Sequence, residues 1–341
     1  MFLVLVILLA LGITLSAVWA EENLPTIGTI DFYGLRTVTE QQVREALGIK
    51  EGDPSISINT KEAQKRLEKI PHVARAELNP VTIPGGKIVL FVGVEEEGAP
   101  TFQYRATPKG SVVLPKEMVE AEAQLMDAWN KSVQTGNGTK EDYSQGHALA
   151  ENPQVRAGQE KFIRLAASGS DILREVLKNS ADSRQRAIAA WILGYAPDKR
   201  LIIGDLMDAV RDPDPRVRNN ATRALGTIAV LATLRPELGI HIDPTRFIEM
   251  LNSLNWLDRD KAMMVLGGLT KNRPAELMAS LQKKALPALI EMARWKSAYA
   301  YMSFILIARI VGWNENDIIN AWDRGERESI IAKVAPHLNQ N

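Results

Sequence analysis

The sequence predicts two folded regions of different class: a small α+β domain over residues 24–99 and an all-α repeat domain over residues 154–341. Three observations lead to this prediction. The apolar pattern changes beyond Pro153 from mixed strand and helix periods to continuous helical spacing, one helical motif recurs in the second region, and an apolar leader precedes both. Residues 100–153 lose the strand pattern and form a connector with one expected helix.

Residues 1–20 predict a secretory signal peptide. Residues 2–15 are almost continuously apolar, and Val18 and Ala20 supply the small side chains that signal peptidase accepts. No Lys or Arg precedes the apolar run. Cleavage after Ala20 is the expectation, and the alternative is an uncleaved anchor through residues 2–19, because a membrane span needs about 17–25 apolar residues. In both cases the remainder is expected outside the cytoplasm.

Composition excludes several classes of function. The chain has no cysteine, so disulfides, thiol catalysis and cysteine-type zinc sites are excluded. Its 41 basic and 41 acidic residues give zero net charge. A nucleic-acid surface needs clustered cations to displace counterions, so nucleic acid is not an expected partner.

The first region alternates between strand and helix periods. The expected elements are a strand at 27–33, a helix opened by the capping box of Thr39 and Gln42, a helix opened by Asn59 and stopped by Pro71, and strands at 73–81 and 87–95. Alternating apolar residues indicate that the last strand is half-buried. The predicted order is therefore strand, helix, helix, strand, strand.

That order and its residues resemble a POTRA domain, the periplasmic module of outer-membrane assembly factors and of the division protein FtsQ. The matching positions are Gly34, Val38, Val43, Leu47, Gly52, Asp53, Leu67, Pro71, Val73, Ala76 and Leu78. The resemblance implies binding rather than chemistry, and it implies the periplasm of a double-membrane cell, either exported or anchored to the inner membrane.

In that family the second strand lies at an open sheet edge, so the resemblance implies partner binding at Val73, Arg75 and Glu77. An open edge offers unpaired N–H and C=O groups to an extended segment. Strict alternation would turn Arg75 and Glu77 outward and Ala74 toward the helices. The alternative is that the two charged side chains protect the edge against pairing.

The connector carries few signals. Residues 118–133 predict one amphipathic helix, in which Trp129 is expected to pack on a neighbour. The polar stretch 141–147 includes His147, but no second His lies at ligand spacing. A loop is therefore favoured over a metal site.

Beyond residue 153 a helical motif recurs. The segment from Asp182 to Gly194 aligns without gaps onto that from Asp214 to Gly226, and a weaker copy starts at Asn255, so the spacing is 32 and then 41 residues (182 to 214 to 255). Shared positions include Asp182, Arg186, Gly194, Asp214, Arg218, Gly226, Arg259 and Gly267. The motif resembles HEAT repeats, which implies an all-α HEAT-repeat solenoid. The later helices, at 275–295, 299–311 and 315–322, have lost the motif and are either degenerate repeats or an atypical cap over the last apolar face.

The recurring residues have two interpretations. The resemblance implies that the turn aspartate and the arginine four residues on, such as Asp214 and Arg218, bridge neighbouring repeats. The alternative is an anion-binding ladder of arginines. Trp191, Trp256 and Trp295 are expected in the core.

No motif for catalysis occurs. The sequence lacks the nucleophile elbow, the His-Glu-x-x-His motif and the glycine-rich phosphate loops, and its four His are scattered. We therefore expect a non-catalytic scaffold without cofactor or metal, whose partners are envelope or outer-membrane proteins. The alternatives are a membrane-anchored division or assembly factor and a regulatory subunit of an enzyme.

Overall fold

The structure is a computed structural model that describes residues 25–55, 58–83, 86–134 and 140–334. The expected signal peptide and the glycine-containing break at 135–139 lie outside the described residues. The chain divides into two compact units: the first holds the residues up to Ala99 together with Trp295–Ala298, and the second holds Pro100–Arg294 and the residues from Tyr299 onward. Within the described ranges, no helix is long and apolar enough to cross a membrane.

The first unit has the predicted order of elements. They are β1 (Ile27–Tyr33), α1 (Glu40–Leu47), α2 (Thr60–Leu67), β2 (Val73–Thr82) and β3 (Ile88–Glu96). The three strands form one sheet in the order β1-β3-β2, with β1 parallel and β2 antiparallel to β3. Helix α2 ends at Leu67, earlier than the expected stop at Pro71, and a turn follows.

Local sequence accounts for the helix ends. The Thr39 side chain accepts the Gln42 amide while the Gln42 side chain accepts the Thr39 amide, which completes the predicted capping box. Gly48 ends α1 in the left-handed conformation that glycine adopts at low cost. Gly34 follows β1 at φ +83°, where an added Cβ would lie 1.9 Å from the Val94 carbonyl oxygen. Only glycine fits that position.

The expectation that β3 is half-buried is wrong. Both faces of β3 are buried, because it is the central strand and aromatic side chains cover the face opposite the helices. Phe91 lies on that face, and the ring of Trp295, in the segment that belongs to this unit, packs 5.2 Å from it between centroids. Trp295 also packs edge-on against Tyr33 and donates its indole N–H to the Phe32 carbonyl at 3.0 Å. Trp295 is therefore buried as expected, but in the first unit.

The second unit is mainly helical. Its elements are α3 (Lys116–Gln134), β4 (Glu141–Asp142), β5 (Leu149–Ala150), α4 (Pro153–Asn179), α5 (Ser183–Leu193), α6 (Lys199–Ala209), α7 (Pro215–Leu234), α8 (Thr245–Met250), α9 (Trp256–Leu269), α10 (Ala275–Lys284), α11 (Leu286–Ala293), α12 (Ala300–Ile310), α13 (Glu315–Asp323) and α14 (Arg327–Val334). The helix expected over 275–295 is two helices, since Ala285 leaves the helix and Pro287 opens the next.

The helices that carry the recurring motif stack side by side. Helix α5 packs on α7, α7 packs on α9, and α9 packs on α12, while α4, α6 and α8 are their partner helices. This is the arrangement of a solenoid, in which each repeat contacts its neighbours. Apolar side chains at the contacts are almost fully buried, among them Ile188, Leu225, Leu266 and Leu306.

The connector is more ordered than the sequence predicts. Residues 101–115, here called the strap, lie along successive turns between helices. Gly110 exchanges backbone hydrogen bonds with Asn179 and Ala181, Arg105 donates its amide to the Arg211 carbonyl at 2.6 Å, and the Tyr104 hydroxyl lies 3.4 Å from Ser253 Oγ. The strap thus touches the turns at 179–181, 211–212 and 253, one in each of three repeats.

Candidate interaction sites

The sheet of the first unit has one covered edge and one open edge. On β1, the Ile27 amide donates to the Asp53 carbonyl at 2.9 Å and the Ile27 carbonyl accepts the Gly52 amide at 2.7 Å. The Phe32 carbonyl on the same strand accepts the Trp295 indole. Strand β2 pairs only with β3 in the described sheet. The free edge is therefore β2, the strand singled out from the sequence.

The three side chains singled out on β2 have different positions. Val73 is 8% exposed and belongs to the core between sheet and helices, so it is unavailable as a contact side chain. Arg75 lies on the outer face and makes a two-bond ion pair with Glu95 of β3, at 2.9 and 2.6 Å. Glu77 is half-buried on the same face and accepts the Asn79 side-chain amide at 3.0 Å. Both charged side chains are thus engaged within the sheet.

A bulge changes the expected alternation at the start of β2. Val73 pairs with Glu96 and Arg75 with Glu95, so Ala74 is the extra residue. The expectation that Ala74 faces the helices is wrong: Ala74 is exposed, whereas Val73 is buried. A bulge is one of the features that blunt a sheet edge against pairing.

The outward backbone of β2 is partly occupied. In an antiparallel ladder, successive residues turn their N–H and C=O groups alternately toward and away from the neighbouring strand. The Ala76 amide donates to Glu68 Oε1 at 3.2 Å, so Ala76 faces away from β3. By alternation Leu78 and Pro80 face the same way, and Pro80 has no N–H.

A buried carboxylate beside β2 holds the loop after β1. Glu96 accepts the amides of Arg36 (2.6 Å), Thr37 (3.0 Å) and Val38 (3.0 Å), and the Thr37 hydroxyl. Burial alone would raise the pKa of Glu96, but these hydrogen bonds outweigh burial and lower the pKa to about 2. Glu96 is therefore ionised at neutral pH and serves as a structural anchor.

In the second unit, the recurring arginines are buried links between repeats. Arg186 donates two hydrogen bonds to Asp212, both at 2.8 Å, and Arg218 donates to both oxygens of Asp258 at 2.9 and 3.0 Å. Arg259 reaches Glu291 at 3.2 Å. All three residues are at most 4% exposed. Their guanidinium groups are engaged inside the array, which argues against an anion-binding ladder.

The turn aspartates act as helix N-caps. Asp182 and Asp214 cap α5 and α7 by accepting the amides of Arg184 and Arg216 at 2.8 Å. The carboxylate that pairs with Arg218 is Asp258 of the next repeat, whereas Asp214 caps its own helix. Asp214 is the residue just before α7, and its side chain points toward the free amides at the start of that helix.

The glycines that end the repeated motif allow close helix contacts to different degrees. A Cβ at Gly194 would lie 2.7 Å from the Ala224 Cβ on α7, and one at Gly267 would lie 2.7 Å from the Met302 sulfur. At Gly226 the nearest atom would be 3.8 Å away, an ordinary contact. Gly194 therefore sets the α5–α7 distance against a rigid neighbour, whereas Gly226 has room for a methyl group.

The polar stretch before α4 folds into a short hairpin on the array. Glu141 accepts two hydrogen bonds from Arg223 of α7, at 2.7 and 2.5 Å, and one from Gln159 at 2.7 Å. The Thr227 hydroxyl donates to the Gly146 carbonyl at 3.0 Å. No signal in the isolated sequence links Glu141 to Arg223, because 82 residues separate them.

His147 in this hairpin is placed for packing. Its ring lies 5.3 Å from that of Tyr195, and burial, together with the nearby Lys199, lowers its pKa to about 4, so the ring is neutral at pH 7. Burial also lowers the pKa of Lys199, to about 8, while its ammonium donates to the Gly194 carbonyl at 2.8 Å. The adjoining cavity of about 10 Å³ holds no more than one water molecule. Across the described ranges, no cluster of three His, Asp or Glu side chains forms a metal site.

The fold and these surfaces define a modular binding protein, with an open-edged sheet in one unit and stacked helical repeats in the other. Residues 26–85 match the family model of the POTRA domain, FtsQ-type, and residues 170–236 match that of HEAT repeats. Both predicted resemblances are thereby confirmed. A search of curated proteins found no match. The two modules indicate protein–protein interaction scaffolding, and both are typically non-catalytic.

Proposed function

We propose that this protein is a non-catalytic scaffold of the cell envelope that joins two partner proteins. Its POTRA-type unit takes an extended segment of one partner at the β2 edge, and its HEAT array holds a second protein. The observation that carries the proposal is that the β1 edge is covered while the β2 edge, on the opposite side of the sheet, is open. An open edge is where an extended peptide gains main-chain hydrogen bonds.

The groups proposed to meet the first partner are backbone groups. The outward positions are Ala76, Leu78, Pro80 and Thr82, which offer four carbonyl groups but three amides, since proline has none. The Arg75–Glu95 pair and Glu77 flank the strand on the outer face and would set side-chain preference. Val73 contributes to the core beneath the site rather than to the contact.

For the second partner we propose the exposed side of α5 and α7 beside the hairpin. Trp191 and Asn220 are half-buried there, and Arg223 stacks 5.2 Å from the Trp129 ring. Each stacked repeat adds contact area to such a surface. The buried arginine links support a rigid platform, because they tie α5, α7 and α9 together from inside.

Photo-cross-linking in intact cells tests the first site. A benzoyl-phenylalanine at position 77 should give a covalent adduct with a partner protein, while the same group at Lys65, exposed on α2, should give none. Position 220 tests the second site in the same way. Equal adducts at 77 and 65, or none at 77, would contradict recognition at the β2 edge.

The envelope location rests on the leader and on the FtsQ-type domain, which is typically periplasmic. Mass spectrometry of the mature protein tests it. A chain that begins at Glu21 is expected for an exported protein. A chain that retains residues 2–19 and fractionates with membranes would instead favour the anchored alternative.

A further inference from the structure

The amide that an incoming strand would meet first on β2 already has a partner. Ala76 pairs with Val94 in the ladder, yet its N–H points away from β3 and donates to Glu68 Oε1 at 3.2 Å. Pro80 removes a second outward donor. Of the outward positions 76, 78 and 80, Leu78 keeps an amide that neither a carboxylate nor a proline ring takes within the described strand, and Thr82 is the next outward position, at the end of β2.

Glu68 is oriented for this contact by hydrogen bonds to Gln64. It caps the C-terminal end of α2, with its own amide bonded to the Gln64 carbonyl at 2.9 Å. The Gln64 side-chain amide donates to the same Oε1, also at 2.9 Å. The Glu68 side chain is nevertheless exposed, so it can leave Ala76 without being pulled from a core. Such a hydrogen bond is oriented but weak enough to be displaced.

From these contacts we propose that Glu68 guards the β2 edge, competing with a partner strand for the Ala76 amide. The inference rests on the proposed function, since it assumes that β2 accepts an extended segment. A partner carbonyl opposite Ala76 must displace the carboxylate. The partner therefore gains one main-chain hydrogen bond fewer than the edge could provide, and removing the carboxylate restores that bond.

The β2 sequence itself supplies a probe. When two copies of residues 73–82 pair antiparallel about Leu78, the Leu78 residues exchange two hydrogen bonds, and each Ala76 amide faces the Pro80 carbonyl of the other strand. Over residues 76–80, a peptide of this sequence bound to the protein thus makes four such bonds. One of the four uses the amide that Glu68 holds.

The test measures fluorescence anisotropy of the labelled 73–82 peptide with the full chain. Glu68→Ala should bind about 2- to 10-fold more tightly than the wild type, the value of one net hydrogen bond. Glu68→Gln is the matched control: its amide oxygen can still accept from Ala76, so its affinity should stay within about twofold of the wild type. A peptide N-methylated at Leu78 should bind none of the three proteins.

The outcomes separate the two proposals. If wild type and Glu68→Ala bind the peptide with equal affinity, or if Glu68→Ala and Glu68→Gln both bind it more tightly by the same factor, the proposed role of Glu68 is refuted while recognition at the β2 edge still holds. If the unmethylated peptide binds none of the three proteins, both the role of Glu68 and recognition at the β2 edge are refuted. Amide exchange measured by NMR on the full chain tests the guard alone: Glu68→Ala should speed exchange at Ala76, relative to Leu78, by roughly 2- to 10-fold. An unchanged ratio would refute it.

Discussion

Asp212→Asn is expected to destabilise the helical unit strongly. Asp212 is fully buried and accepts two hydrogen bonds from Arg186, one from Arg105 of the strap at 2.7 Å, and one from the Asp214 amide at 2.9 Å. Asparagine keeps one oxygen and turns an NH₂ group toward guanidinium donors. Breaking a buried ion pair on one side costs about 3–5 kcal/mol, and we expect a loss in that range.

The matched control is Asp214→Asn, two residues away. Asp214 caps α7 and pairs with Arg216, which is largely exposed. Asparagine caps a helix as well as aspartate, and exposed pairs contribute about 0–1 kcal/mol, so this variant should lose less than about 1 kcal/mol. Urea unfolding of the full chain, followed by ellipticity at 222 nm, measures both. A loss for Asp212→Asn no greater than for the control would refute the reasoning.

The pH dependence gives a second check on the same carboxylate. Burial would raise the pKa of Asp212, but the hydrogen bonds from Arg186 and Arg105 outweigh it, so the pKa lies below its ordinary value of 3.8. A lowered folded-state pKa contributes stability above about pH 4, and that contribution is lost as the pH falls through the folded-state pKa. The difference between wild type and Asp212→Asn should therefore shrink below about pH 4. A constant difference would show that charge is not its source.

Three further changes test other contacts. Glu96→Gln should destabilise the first unit by about 1–3 kcal/mol at pH 7. Because the pKa of Glu96 is lowered from 4.5 to about 2, this loss relative to wild type should disappear as the pH falls from 4.5 to about 2. Thermal unfolding at several pH values measures it. Gly194→Ala should cost about 1–3 kcal/mol because its Cβ meets that of Ala224, whereas Gly226→Ala should cost less than Gly194→Ala in the same urea assay. Asp182→Ala should cost about 1 kcal/mol through loss of the α5 cap, and Asp182→Asn should restore most of it.

Much of the first unit was predictable because its signals are local. The Thr39 capping box and the bounds of β1 depend on residues that are close together in sequence. The Ala74 bulge and the burial of Phe91 were not predictable, since both depend on groups distant in sequence. The apolar pattern of a sequence predicts each strand or helix separately and does not show which distant residues it packs against.

In the candidate sites the residue types were found but their partners were not. The repeated Asp and Arg positions were visible as a motif, yet the carboxylates that pair with Arg186 and Arg218 lie at 212 and 258, in other turns. Glu68 was missed for the same reason: its contact with Ala76 crosses from a helix end to a strand edge. The one indication in the sequence was the position of Glu68, just after α2 and five residues before the start of β2.

The strap has a consequence for how the helical unit folds. A solenoid normally gains stability from nearest neighbours alone, so its repeats can form and fray one after another. Residues 101–115 contact turns in three repeats, and Arg105 donates to Asp212 across 107 positions. Such long-range contacts close large loops, which slows folding and makes unfolding more concerted. Native-state hydrogen exchange should accordingly show the repeats that carry α5, α7 and α9 opening as a single cooperative unit.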